Sequence, residues 1–149
     1  MARYRPPLAQ LAGGLFLTDG GIEPTLIFHE RLPLPDFAAF DLLKHEEGYA
    51  ALQKYFRTYA DIARRDGVGC ILARATWRAS PDWGTKLGYS ATALTDLNRQ
   101  AITLLQEIRN AYELGTTPMV ISGCVGPRGD GYNPAALMTE DDAEHYHTR

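Results

Sequence analysis

Val68-Gly69-Cys70-Ile71-Leu72 is a short apolar run set between two long stretches of helical pattern. It is too short to be a core helix and follows Gly67, a natural helix stop, so it reads as a buried strand. Upstream of it, from about His45 to Arg65, Leu52, Tyr55, Phe56, Tyr59, Ile62 and Ala63 recur at spacings of three and four, one face of an amphipathic helix. Glu46 and Glu47 fall in its first turn, where negative charge favours a helix N-terminus. Downstream, Ser90 is a good N-cap for a helix carrying Leu94, Leu97, Ala101, Leu104, Leu105, Ile108 and Tyr112 on one side and stopping at Gly115.

The same alternation continues outward. Leu15-Phe16-Leu17-Thr18 precedes the first helix as an apolar run closed by Asp19-Gly20-Gly21, and Pro118-Met119-Val120-Ile121-Ser122-Gly123 follows the second. The order is strand, helix, strand, helix, strand, start of helix, which predicts an α/β fold with parallel strands. The strands are continuous apolar runs, as expected of strands covered on both faces. Periodicity leaves a doubly wound sheet and a barrel equally open.

The connecting segments are read as follows. Ile22–Glu30 is a short helix with Pro24 near its start, and Leu32–Asp36 is a proline-stiffened loop. Arg78–Gly88 is a polar loop with one helical turn around Asp82–Lys86. Gly126 to Gly131 is a glycine-rich loop, and Thr139 caps a final helix that runs into Arg149. Residues 1–14 are a lead-in, with Pro6-Pro7 barring a helix start, and residues 15–149 are the folded portion.

Bulk properties exclude several classes. The chain has 149 residues, 45% hydrophobic and 22% charged, which suits one domain with a real core rather than a disordered segment. A net charge of -3 with scattered Lys and Arg carries no nucleic-acid footprint. No apolar run is long enough to span a bilayer, and no apolar stretch follows the basic start to make a secretory signal. Two cysteines are too few for a disulfide framework, so a reducing cytoplasm is the expected compartment.

Function is sought at the carboxyl ends of the strands, where parallel α/β proteins place their chemistry. Asp19 at the end of the first strand can hold an ammonium group, and Gly20 and Gly21 let a ligand approach the backbone; the same tripeptide also serves as plain turn punctuation. No G-x-G-x-x-G follows this strand, so a dinucleotide fingerprint is absent. After the second strand, Thr76 can hydrogen-bond a ligand, and Trp77 can wall a pocket, stack on a cation or simply cap the core. After the third, the glycines could present N–H groups to an anion, but the loop lacks a P-loop ending.

Arg128-Gly129-Asp130 spells an adhesion tripeptide, which here is coincidence. Cys70 lies inside an apolar run and reads as packing, while Cys124 lies at a strand end and is either a small hydrophobe or a reactive thiol. His145 and His147 are two apart on a helix and point to different faces, so they do not chelate together. His29 and His45 have no nameable partner, and no Ser-His-Asp arrangement can be argued.

Three segments together carry a resemblance: Leu17-Thr-Asp-Gly-Gly-Ile-Glu-Pro-Thr-Leu26, Thr76-Trp-Arg-Ala-Ser-Pro-Asp-Trp-Gly-Thr-Lys-Leu-Gly-Tyr89 and Ile121-Ser-Gly-Cys-Val-Gly-Pro-Arg-Gly-Asp-Gly-Tyr132. In this order the chain resembles the homocysteine S-methyltransferase family from about Leu15 to Arg149. The resemblance implies a (β/α)8 TIM-type barrel, truncated here to about its first three βα units. It also implies a zinc ion held by three cysteine thiolates, which binds and deprotonates the homocysteine thiol. The thiolate then takes a methyl group from a sulfonium, ammonium or folate donor, giving methionine.

By the same resemblance Asp19, Gly20 and Gly21 line the homocysteine site, with Asp19 near the amino group. Thr76 and Trp77 form its wall, and Gly123 and Gly126 let the third loop pass close to the ligand. The chain departs from the family in lacking the late Gly-Gly-Cys-Cys segment that supplies zinc ligands, and Cys124 is not at a ligand position. Ala73-Arg74-Ala75 replaces a more polar run. A full barrel needs about 250 residues, so open sheet edges are expected, with pairing to another copy as one way to cover them. The expectation is a family domain inactive in methyl transfer alone. Its competitors are a non-catalytic binding or oligomerising half-barrel module and an enzyme using Cys124 as nucleophile.

Overall fold

The structure, a computed structural model, describes residues 8–133 and 137–148. The described part of the lead-in holds one 3-10 turn, Ala9–Leu11; the Pro6-Pro7 reading lies outside the described residues. Three strands follow the expected order: β1 (Phe16–Thr18), β2 (Gly69–Ala73) and β3 (Met119–Ser122). They form one parallel sheet in the order β1-β2-β3, with Leu17 opposite Cys70 and Cys70 opposite Met119.

The helices are α1 (Ile22–Pro24), α2 (Glu46–Asp66), α3 (Pro81–Lys86), α4 (Ala91–Tyr112) and α5 (Glu140–His147). Their ends show the local chemistry that sets them. Gly67 stands at φ 64, the left-handed conformation that closes α2, and its N–H returns to the Ala63 carbonyl. The Ser90 hydroxyl accepts from the Ala93 N–H, and the Thr139 hydroxyl accepts from Asp142 N–H. α4 stops at Tyr112 rather than at Gly115, because Leu114 and Thr117 form a tight antiparallel bridge that turns the chain into β3. α5 ends at His147, and Arg149 lies outside the described residues.

The segment Ile22–Glu30 is not one α-helix. After α1 the chain widens into a π turn, Thr25–His29, closed by Glu30 N–H on the Thr25 carbonyl. The proline loop holds two 3-10 turns, Pro35–Phe37 and Ala39–Lys44, and the first contains a left-handed pair, Asp36 and Phe37 at φ 52 and 55.

α2 and α4 lie on one face of the sheet and bury Leu52, Phe56, Leu104, Leu105 and Ile108 against Cys70, Leu72 and Met119. Phe40 and Leu43 from the Ala39–Lys44 turn close this core. Tyr49 and Gln53 brace the two helices by donating to Glu107 at 2.9 and 3.0 Å. The strands are less evenly covered than their continuous apolar runs suggest. Cys70 and Leu72 are buried, whereas Phe16 and Ile71, which point to the other face, are half-exposed. Gly69 has no room for a side chain, since the Phe16 ring of the neighbouring strand fills its place. Among the described residues no helix is long and apolar enough to cross a membrane.

Candidate functional site

The parallel strands deliver three turns to one end of the sheet. Asp19-Gly20-Gly21 leaves β1, Arg74 to Arg78 leaves β2, and Gly123 to Tyr132 leaves β3. Between them lies a cleft of about 310 Å³ whose lining includes Asp19, Gly20, Gly21, Glu23, Arg74, Trp77, Cys124 and Tyr132. A second cavity of about 160 Å³ adjoins it and is lined by Thr76, Ser80, Asn98 and Gly126. Arg74, Trp77 and Cys124 line both, so the two spaces share a wall.

Asp19 is held from α2. The Tyr55 hydroxyl donates to Asp19 Oδ2 and to the Gly20 carbonyl, each at 3.1 Å. Burial pushes the Asp19 carboxyl above its ordinary value, and the Tyr55 hydrogen bond opposes this. Glu23, on α1, is raised first by burial and further by the nearby Asp19 charge, while its own backbone N–H and Arg78 pull it down. Two carboxylates therefore share one partly dried cleft, an arrangement that suits a cationic amine. Trp77 adds an aromatic wall for the same kind of ligand.

Arg78 is buried between two indoles, its guanidinium 4.7 Å from the Trp77 ring centre and 4.0 Å from that of Trp83. It also pairs with Asp130 at 3.4 Å. Arg128 pairs with Asp82 at 2.7 Å and lies over Tyr146. Both charges of the Arg128-Gly129-Asp130 tripeptide thus serve inside the chain, binding the β3 loop to the β2 loop and α3. The Trp77 and Tyr132 rings meet edge to face at 5.8 Å across the same seam.

The structure places each sequence-derived residue as follows. Asp19, Gly20, Gly21 and Trp77 line the larger cleft, and Thr76, Trp77 and Gly126 line the smaller one. The Thr76 hydroxyl donates to the Cys124 carbonyl at 3.2 Å and so ties two loops together. At Gly126 a Cβ would run into the Trp77 carbonyl, so the absent side chain makes room for protein. A Cβ on Gly123 would stand 3.3 Å from Arg74 Nη2.

Cys70 is fully buried on the helix side, its thiol pushed up to about 11 by burial and by Asp19, as fits packing. Cys124 is half-buried beside the cleft; burial and Glu23 raise its thiol, Arg74 acts in the opposite sense, and Asp19 raises it again. A raised thiol is a poor nucleophile. His147 lines the smaller cavity against the Tyr146 ring. Among the described residues no three His, Cys, Asp or Glu side chains are placed to hold a metal.

Sequence reasoning missed Glu23, Tyr55, Arg74 and Arg78 as site residues. Glu23 was open to detection, since it lies four residues after Asp19 in the first turn beyond a strand end. Arg74 stood out as a charge directly after an apolar strand. Tyr55 and Arg78 carried no such signal, one sitting on an apolar helix face and the other in a polar loop.

The family model described as homocysteine S-methyltransferase matches residues 16–149. No curated protein and no solved structure matches the chain. With the family model spanning all three strand ends and the cleft they form, the chain belongs to the homocysteine S-methyltransferase family.

Proposed function

We propose that this cleft is a homocysteine-binding site and that the chain is a homocysteine S-methyltransferase-like domain. The observation that carries the reading is Asp19: a partly buried carboxylate at the end of β1, oriented by Tyr55 and backed by Glu23. It would hold the amino group of the substrate, with Gly20 and Gly21 allowing close approach and Trp77 forming the wall. Thr76, Gly123 and Gly126 support this wall by letting the β2 and β3 loops lie against each other. A free thiol at Cys124 suits a reducing cytoplasm.

The sheet supports a barrel. Strands in sequential order, parallel, with helices on one face and half-exposed apolar side chains on the other, are what the first three staves of a (β/α)8 barrel present. On this reading residues 15–149 are the N-terminal portion of the barrel domain and residues 1–14 its lead-in.

The family implies zinc held by three thiolates, and the donors here do not fit it. One of the two cysteines is sealed in the sheet, and the other faces Glu23, Asp19 and Arg74 rather than sulfur. This chain's own residues therefore bind and orient the amino acid; activation of its thiol is not assigned to them. A second reading, a binding or oligomerising half-barrel module, is favoured by β1 and β3 standing at the two edges of the sheet that the described residues form.

The test is calorimetric titration of the chain with homocysteine, alongside a methionine-formation assay with sulfonium, ammonium and folate methyl donors. Saturable binding lost in Asp19→Asn is expected. Homocysteine binding that is unchanged in Asp19→Asn would remove the reading. Methionine formation decides between enzyme and module.

A further inference from the structure

Arg74 directly follows the last residue of β2, and its backbone N–H bonds to the Ser122 carbonyl at 3.3 Å. Its side chain lies over Gly123 on the wall shared by the two cavities. Its Nε is buried and has no hydrogen-bond partner among the described residues. A buried guanidinium donor without a partner is costly, and such a group calls for an explanation. Arg78, the other cation near the cleft, is already engaged by Asp130 and two indole rings.

The cleft thus carries both signs of charge. Asp19 and Glu23 follow β1 and Arg74 follows β2, all three line the same cleft, and the Cys124 thiol feels each of them. A ligand carrying an ammonium and a carboxylate on one carbon would satisfy both signs at once. The forked, planar guanidinium matches a carboxylate better than any other side chain.

We propose that Arg74 receives the α-carboxylate of the amino acid whose ammonium group Asp19 and Glu23 hold. This rests on the reading of the cleft as an amino-acid site and adds to it a specificity: the chain selects zwitterions over simple amino thiols. Gly123 is part of the device, because its missing side chain leaves the guanidinium its place.

The experiment is calorimetry with homocysteine and with 3-aminopropane-1-thiol, which keeps the amine and thiol but lacks the carboxylate. The full chain binds homocysteine about ten- to a hundred-fold more tightly, the range of a charge-assisted hydrogen bond. In Arg74→Met this preference disappears, and Arg74→Lys keeps part of it. Equal affinities in the unaltered chain, which need no variant, would overturn the proposal. So would a preference that survives in folded Arg74→Met, while homocysteine binding itself stood. Arg74-dependent binding of methionine or glutamate without homocysteine would leave Arg74 in its role and remove the homocysteine reading. No binding of any of the three amino acids would remove both.

Discussion

The Tyr55 hydroxyl reaches from the middle of α2 to Asp19 and Gly20, donating at 3.1 Å to each, so a core helix holds the turn that ends β1. The bond links folding to the site, because the same α2 face that packs the core aims this hydroxyl. Tyr55→Phe is expected to lower stability by about 1 kcal/mol, the usual net value of one hydrogen bond. It should also raise the Asp19 carboxyl further, since a bond favouring the charged form is lost. Urea unfolding and a carbon-detected NMR titration of Asp19 measure the two effects; an unchanged titration would show that the hydroxyl does not govern the carboxylate.

The pH dependence of stability follows from Asp19 and Glu23. Both are raised above their ordinary values, chiefly by burial. The folded state then holds their protons more tightly than the unfolded state. Their contribution is fully present below the ordinary carboxylate range and is lost as pH rises through the raised values. Asp19→Asn should therefore gain stability relative to the parent chain at about pH 7 and gain little at about pH 4. Amine binding runs the other way and strengthens with pH as the carboxylates ionise. Urea midpoints of both chains across this range check the sign.

Gly126→Ala is expected to cost about 1–3 kcal/mol, as overpacking does, because its new methyl meets the Trp77 carbonyl rather than a flexible tip. Gly123→Ala meets only the end of Arg74 and should cost less, while weakening the preference for zwitterions. Thermal unfolding of the two variants side by side gives the comparison, and a Gly126→Ala chain as stable as Gly123→Ala would contradict the packing seen here.

Arg78→Met removes a cation from between two indoles. With each contact contributing about 0.5–2 kcal/mol, a loss of about 1–3 kcal/mol is expected. Trp77 and Trp83 are the chain's two tryptophans, so its emission should change as well. Asp130→Asn should cost under about 1 kcal/mol, since the Asp130 side chain is 45% exposed and its pair is solvent-screened. Arg78→Lys should rescue poorly, because a point charge does not stack on both rings.

What the sequence determined by itself was local. The apolar runs at Phe16–Thr18, Gly69–Ala73 and Met119–Ser122 had no helical period, and the long stretches between them had one, so the order of elements was legible. Gly67, Ser90 and Thr139 marked helix ends because a left-handed φ or a capping hydroxyl acts within a turn of its own position. Asp19 and Trp77 could be named because strand ends in parallel sheets gather at one side. The tertiary structure decided everything that depends on residues distant in the chain. Tyr55 meets Asp19 across 36 positions, Arg78 meets Asp130 across 52, and Thr76 meets Cys124 across 48. None of these pairs has a spacing that sequence pattern can read, since each arises from strand register and helix packing rather than from backbone geometry. For the same reason the close approach of Gly126 to the Trp77 carbonyl has no signal in the sequence.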